Sequence, residues 1–300
     1  MALAGSTTNN LTLASSGSET WYLTDLNLTG GAGCGTLRPG LRVLNNVPSL
    51  NESDVLIFAA PEPSDWGALT LALKQDGASI QMKNKAAGLP AVAANEYLWV
   101  TDLTQVVVVK ASGAPTVCGS DACMTRAQPT TPNFDLQPGA LVMKMHWLAY
   151  RVNHDAFGTG SMDPALEVAD LPGSNTTVLL ATAEPAAAGI EDLQVAFAID
   201  NGNGDGGSPN GRIGTEIGSA GNDDEWIYNH SGDTEPTCAE MANIKAVRIT
   251  LVARSTVQRQ GQFSAANRRP KVEDHAAAVS SDGFYRVRLQ QIISLRNKGS

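Results

Sequence analysis

The chain has 300 residues, of which 42% are apolar, with 21 Lys and Arg against 30 Asp and Glu and a formal net charge of −9. That is enough apolar material for one large domain or two small ones, and the acidic balance excludes a broad phosphate-binding patch, which needs clustered Lys and Arg. Charged residues make up only 17%, beside 29 Gly and 15 Pro, so many turns and short strands are expected rather than long helices.

Residues 1–20 are rich in Ser, Thr, Asn and Gly and are expected to be loose. They lack the basic start and apolar centre of a signal peptide. No apolar run reaches the roughly 18 residues of a spanning helix, so any targeting segment is expected ahead of Met1. Strands are predicted at Trp21 to Thr29, Asp54 to Phe58 (bounded by Pro61 and Pro63), Leu69 to Leu73, Tyr97 to Leu103 and Val106 to Val109. After a Pro/Thr stretch ending at Pro138, a further strand is predicted from Gly139 to Val152. Asn153 to Pro172 reads as turn, and Thr177 to Thr182 as strand.

Gly189 to Gly206 then sets Leu193, Val195, Phe197 and Ile199 on one side and Gln194, Ala196 and Ala198 on the other. That period of two predicts a strand with one buried face. It runs into Asp200-Asn201-Gly202-Asn203-Gly204-Asp205-Gly206, which must turn. Thr237 to Glu240 has capping-box spacing and reads as one helical turn. Asn243 to Ser255 and Gly283 to Arg296 alternate again, and predict two antiparallel strands with Val247, Ile249, Leu251, Val287, Leu289 and Ile293 in one core. The architecture is mainly β: antiparallel sheets with long loops, one globular domain over 21–300, and a weak subdivision near Pro138.

Cys118 and Cys123 form a C-x4-C pair in a Gly/Ser/Asp loop. A zinc site usually shows two such close pairs. Disulfides therefore fit better and imply an oxidising compartment. The expected pairings are Cys118–Cys123 and Cys34–Cys238. In the acidic turn, Asp200, Asn201, Asn203 and Asp205 offer alternating oxygen ligands, as a calcium loop does. Arg212 stands where an EF-hand places its glutamate, so a calcium site needs Asp223 or Asp224 from across the loop. The same residues also suit a tight turn with no ion. His154-Asp155 and Asp274-His275 are the pairs able to orient a nucleophile, but no Gly-x-Ser-x-Gly elbow or HExxH helix accompanies them.

A set of motifs occurs in order over the second half: Tyr150-Arg-Val152, Ile190 to Val195, Trp226, Ala246-Val-Arg-Ile-Thr-Leu-Val-Ala-Arg-Ser255, Glu273-Asp-His275, Asp282-Gly-Phe-Tyr-Arg286 and Leu295-Arg-Asn297. The set resembles the PilW family of minor pilins, relatives of the J-type pseudopilins of type II secretion. The resemblance implies an α+β pilin-like fold whose N-terminal helix is absent or truncated here. It implies a structural role rather than an enzymatic one: priming pilus assembly and forming a tip complex with other minor pilins, the major pilin and a large tip adhesin. It places the protein in the periplasm or at the cell surface, at the pilus tip, with roles in adhesion and twitching motility. A leader and an apolar helix are then expected before Met1. The acidic turn is one residue longer than the family's form, with Asn203 in place of an Asp. The two sub-sheets are expected to cover each other and to leave an apolar groove where the family's helix lies. Two rivals remain. One is a secreted calcium-dependent module stacking carbohydrate on Trp66, Tyr97 or Trp99. The other is a hydrolase using one of the His/Asp pairs.

Overall fold

Alternating and all-apolar runs become strands throughout the chain, and every observed strand pair is antiparallel. The computed structural model describes residues 13–14, 20–21, 41–47, 52–74, 79–83, 92–94, 96–103, 106–127, 135–154, 163–171, 178–179, 183–202, 208–214, 224–230, 232–233, 244–258, 268–277 and 282–294. Among these described residues there is no helix, and the fold is mainly β. The strands of the first half are β1 (Leu13–Ala14), β2 (Thr20–Trp21), β3 (Leu41–Val47), β4 (Ser53–Ala68), β5 (Leu73–Lys74), β6 (Ser79–Lys83), β7 (Tyr97–Thr101), β8 (Val106–Ala111), β9 (Thr116–Cys118), β10 (Asp121–Ala127) and β11 (Asp135–Leu136). Those of the second half are β12 (Leu141–Asn153), β13 (Ala165–Leu171), β14 (Val178–Leu179), β15 (Glu184–Ala188), β16 (Ile190–Ile199), β17 (Trp226–Ile227), β18 (Ile244–Arg254) and β19 (Arg286–Ser294).

β12 is the spine. One edge pairs with β4, from Leu141↔Ala68 to Tyr150↔Leu56. Its other edge serves two strands in succession: β7 as far as Lys144↔Leu98, then β13 from Trp147↔Leu171 onward. From β7 the sheet continues through β8 and β10 to β6. A bridge between Leu69 and Met82 brings β6 back to the end of β4, which closes a small barrel. Its interior is apolar and includes Leu69, Ile80, Met82, Leu98, Val100, Val109, Met124 and Val142.

The other end of the same sheet, built by β3, β4, β12, β13 and β15, faces a second sheet of order β17-β16-β18-β19. Val43, Leu56 and Val152 from the first sheet meet Leu193, Val195, Phe197, Ile227 and Val247 from the second. The two layers form a sandwich that shares β4 and β12 with the barrel. Burying such facing surfaces yields about 25 cal/mol per Å² of apolar area, and this covers most of the apolar face that β16 and β18 present.

Several strands differ from expectation. Asp54 to Phe58 belongs to a strand of 16 residues that runs through Pro61 and Pro63. The register jumps between Met143↔Trp66 and Met145↔Pro61, leaving residues 62–65 without partners on β12, and such irregularities are where a sheet accepts proline. Leu69 to Leu73 is a bridge, two bends and the start of β5. β6 and β10 were not foreseen, nor were β13 in the supposed turn region and β15. β15 reads Glu-Pro-Ala-Ala-Ala and is exposed throughout, an edge strand that holds its proline harmlessly. The predicted helical turn at Thr237 to Glu240 lies outside the described residues.

Two corrections bear on function. β16 is buried at all ten positions, not on one face. In addition, Val287, Leu289 and Ile293 do not join the core: β19 pairs with β18 as predicted, through Leu251↔Leu289, yet these residues are 57%, 51% and 45% exposed. Among the described residues, the facing sheet does not extend over β19.

Candidate functional site: a polar core and an open sheet face

β16 enters at Gly189, whose φ of +76° and 3.0 Å clearance from the Arg254 carbonyl to an added Cβ admit only glycine. From there Glu191, Asp192 and Gln194 point to the face opposite Leu193 and Val195 or into its margins, and all are buried. Each has a partner from another part of the chain. Glu191 pairs with the Nε of Arg286, whose NH2 lies 3.2 Å from the second Glu191 oxygen. The same guanidinium holds Asp282 by two bonds of 2.7 Å. Burial opposes the charge on Arg286, but Asp282 and Glu191 more than offset it and hold the group above its ordinary value. Arg286 in turn holds the Asp282 carboxyl below the usual range.

Asp192 sits 2.7 Å from Nδ1 of His275 and accepts from the Ser53 hydroxyl at 2.9 Å. Gln194 donates to the Glu52 carbonyl at 3.0 Å. Asp54 accepts the N–H groups of Asn46 at 2.8 Å and Val195 at 2.7 Å, tying β3, β4 and β16 together. Burial pushes its carboxyl well up, against those two bonds, with Asp274 and Asp192 adding to the rise. Burial also raises Asp274, whose oxygen accepts from Asn45 at 2.7 Å and Asn46 at 2.6 Å.

The motifs quoted above therefore meet one another in space. Ile190 to Val195 finds Glu273-Asp-His275 and Arg286, and Arg248 of the Ala-Val-Arg-Ile strand finds Glu273, with its Nε at 3.0 Å. This arrangement anchors elements and does not assemble a nucleophile. Asp274 turns to Asn45 and Asn46 rather than orienting His275. Ser53 and His275 share Asp192, whereas a triad needs the histidine between serine and carboxylate. Asp155 lies outside the described residues. Ser53 and Asp54 were missed as members of the network; their one sequence signal is a polar Ser-Asp pair opening the apolar run Val55 to Ala60.

At the acidic turn, both Asp200 oxygens accept backbone N–H groups, from Asn210 and Gly211 at 2.8 Å each. Lys245 stands 3.5 Å away. Gly202, with φ of +84°, has Ser208 backbone 2.2 Å from an added Cβ, so glycine is obligatory there. Glu225 accepts from Gly202 at 3.1 Å and from Gly214. Asp224 accepts from Trp226 N–H at 2.7 Å and from Asn229. Asn203, Asp205 and Asp223 lie outside the described residues. Among the described residues, no group of three or more His, Cys, Asp or Glu is placed to hold a metal.

The Cys118–Cys123 disulfide is formed, with Cα atoms 5.7 Å apart across the β9–β10 hairpin. Cys34 and Cys238 lie outside the described residues. Tyr97 and Trp99 are buried at 2% and 1% exposure and present no ring to a sugar; the side chain of Trp66 lies outside the described part. Among the described residues no helix is long and apolar enough to cross a membrane.

What stays open is the outer part of the second sheet. Val287, Leu289 and Ile293 share a face with the half-buried Ile249 and Leu251 through the β18–β19 register. Residues 149–297, which contain this sheet and all the paired motifs, match the PilW family, described as Type IV Pilus-assembly protein W. No curated protein and no solved structure matches the chain.

Proposed function

With that match in hand the chain is a PilW-like type IV pilus protein, and from that premise we propose that it acts as a minor pilin, priming pilus assembly within a tip complex. Its partners in this reading are other minor pilins, the major pilin and a large tip adhesin. Its place is the cell envelope or surface, at the pilus tip. A single observation carries the reading: among the described residues, one face of β19 leaves Val287, Leu289 and Ile293 exposed beside the partly buried Ile249 and Leu251. Contiguous exposed apolar surface of this kind marks a site of protein contact. In this reading the stripe is where a neighbouring pilin subunit docks, and the buried ion pairs hold the sheet rigid behind it. The acidic turn, as a weak calcium site, remains a proposal that the pilus role does not need.

The test is co-purification with the other minor pilins of the same pilus system, and a count of surface pili. Leu289→Asp together with Ile293→Asp changes only exposed side chains and should leave the melting temperature within a few degrees. The double variant should lose the co-purifying pilins and most pili. Normal complex formation and normal piliation in a folded double variant would sink the docking surface.

A further inference from the structure

The face of β18 and β19 opposite the apolar stripe carries a cleft of about 290 Å³. Three cations line it, Arg248, Lys271 and Arg288, against the one carboxylate of Glu273. The local balance is thus +2 on a chain whose formal net charge is −9. Glu273 is already engaged: it accepts from Arg248, from Thr250 at 2.7 Å and from Gln290 at 3.2 Å. Arg248 is further fixed over the Trp226 ring, 4.1 Å from its centroid. Lys271 and Arg288 reach solvent, and among the described residues no carboxylate pairs with either. Nδ1 of His230, on the cleft wall, is buried with no hydrogen-bond partner there. The cleft is built and its positive charge is not answered within the described chain.

Arg288 and Gln290 belong to β19, the last strand of its sheet. Among the described residues no strand pairs with its outer edge, which offers a row of backbone donors and acceptors. Because side chains alternate along a strand, a segment added to this edge lays every second residue over the cleft and the others over the stripe of Val287, Leu289 and Ile293. We propose that β19 takes up an extended partner segment by strand addition, and that this segment alternates acidic and apolar side chains, with its carboxylates entering the cleft toward Lys271 and Arg288. Backbone pairing supplies affinity in this mode and alternate side chains supply specificity; the guanidinium of Arg288 suits a carboxylate. The inference rests on the reading of β19 as a partner contact and adds the chemistry of the partner.

The probe is a labelled synthetic peptide of alternating Glu and Val flanked by glycines, titrated into the whole chain and followed by anisotropy. It should bind, and more weakly as salt rises. Lys271→Glu with Arg288→Glu, both exposed positions, should weaken it at least about tenfold, or 1.4 kcal/mol. Replacing Glu by Gln, grouping the same residues into blocks, or methylating alternate backbone nitrogens should each remove binding. Absence of binding, or equal binding of the alternating and block peptides, overturns the proposal. So does a cleft that takes inorganic sulfate but no peptide. If the peptide fails while Leu289→Asp with Ile293→Asp still disrupts the pilin complex, the pilus reading stands and only the strand chemistry falls.

Discussion

The barrel and the sandwich share β4 and β12 but are held together differently. The barrel encloses Leu, Ile, Val, Met and Ala side chains. The sandwich has an apolar core as well, but its margins bury Glu191 with Arg286, Asp192 with His275, Arg248 with Glu273, and Arg151 with Glu167. The sandwich holds most of the region that matches the pilus family, and the barrel interior lies before residue 149. An apolar core tolerates swaps that conserve volume, whereas a buried ion pair tolerates loss of neither partner alone. The difference teaches where the two halves accept sequence change. The ordered motifs include Arg248, Glu273, Glu191 and Arg286, the members of two of those pairs, while the barrel has a pair of this kind at its margin, Lys144 with Glu96 at 3.0 Å.

Arg286→Ala should break that contrast hardest. It leaves Glu191 buried without its cation, at a cost of about 3–5 kcal/mol, read as a shift in urea midpoint. Glu191→Met with Arg286→Met should recover much of the loss; a double variant as unstable as the single one would show that the pair does more than neutralise itself. Next in size is Asp54→Ala. Two buried N–H groups lose their acceptor, at about 1–3 kcal/mol. The pH dependence has a definite sign. The folded chain holds the Asp54 proton above the ordinary carboxylate range, so wild-type stability falls as pH rises from that range through the folded value. The variant lacks this loss, and its deficit should shrink with rising pH; a deficit that grows would reverse the assignment.

In the barrel, Ile80→Val removes one methylene from a fully buried site and should cost about 0.5–1.5 kcal/mol, a cost that should change little between about pH 4 and pH 8, where carboxylates and histidines titrate. A strong pH dependence there would erase the distinction between the halves. Calcium is expected to have the smallest effect. Asp200 already gives both oxygens to Asn210 and Gly211, so millimolar calcium should stabilise by about 1 kcal/mol or less. A much larger rise in melting temperature would mean that the turn rearranges around the ion.

By itself the sequence determined the mainly β class and the positions of β12, β16, β18 and β19, because period two and unbroken apolar runs are local signals. It also supplied the Cys118–Cys123 pair and the ordered motifs of the PilW-like half. Short or edge strands such as β6, β13 and β15 were not legible, since their pairing depends on neighbours rather than on composition. The same holds for the course of β4 through Pro61 and Pro63, which a register jump against β12 permits. Only the tertiary structure decided which charges meet: Glu191 with Arg286 and Asp192 with His275 are contacts across long stretches of chain that no spacing encodes. It also decided that Leu289 and Ile293, which alternate as regularly as Leu193 and Val195, stand in solvent. Alternation states which residues share a face, and only the packing of the opposing sheet, which stops short of β19, states whether that face is covered.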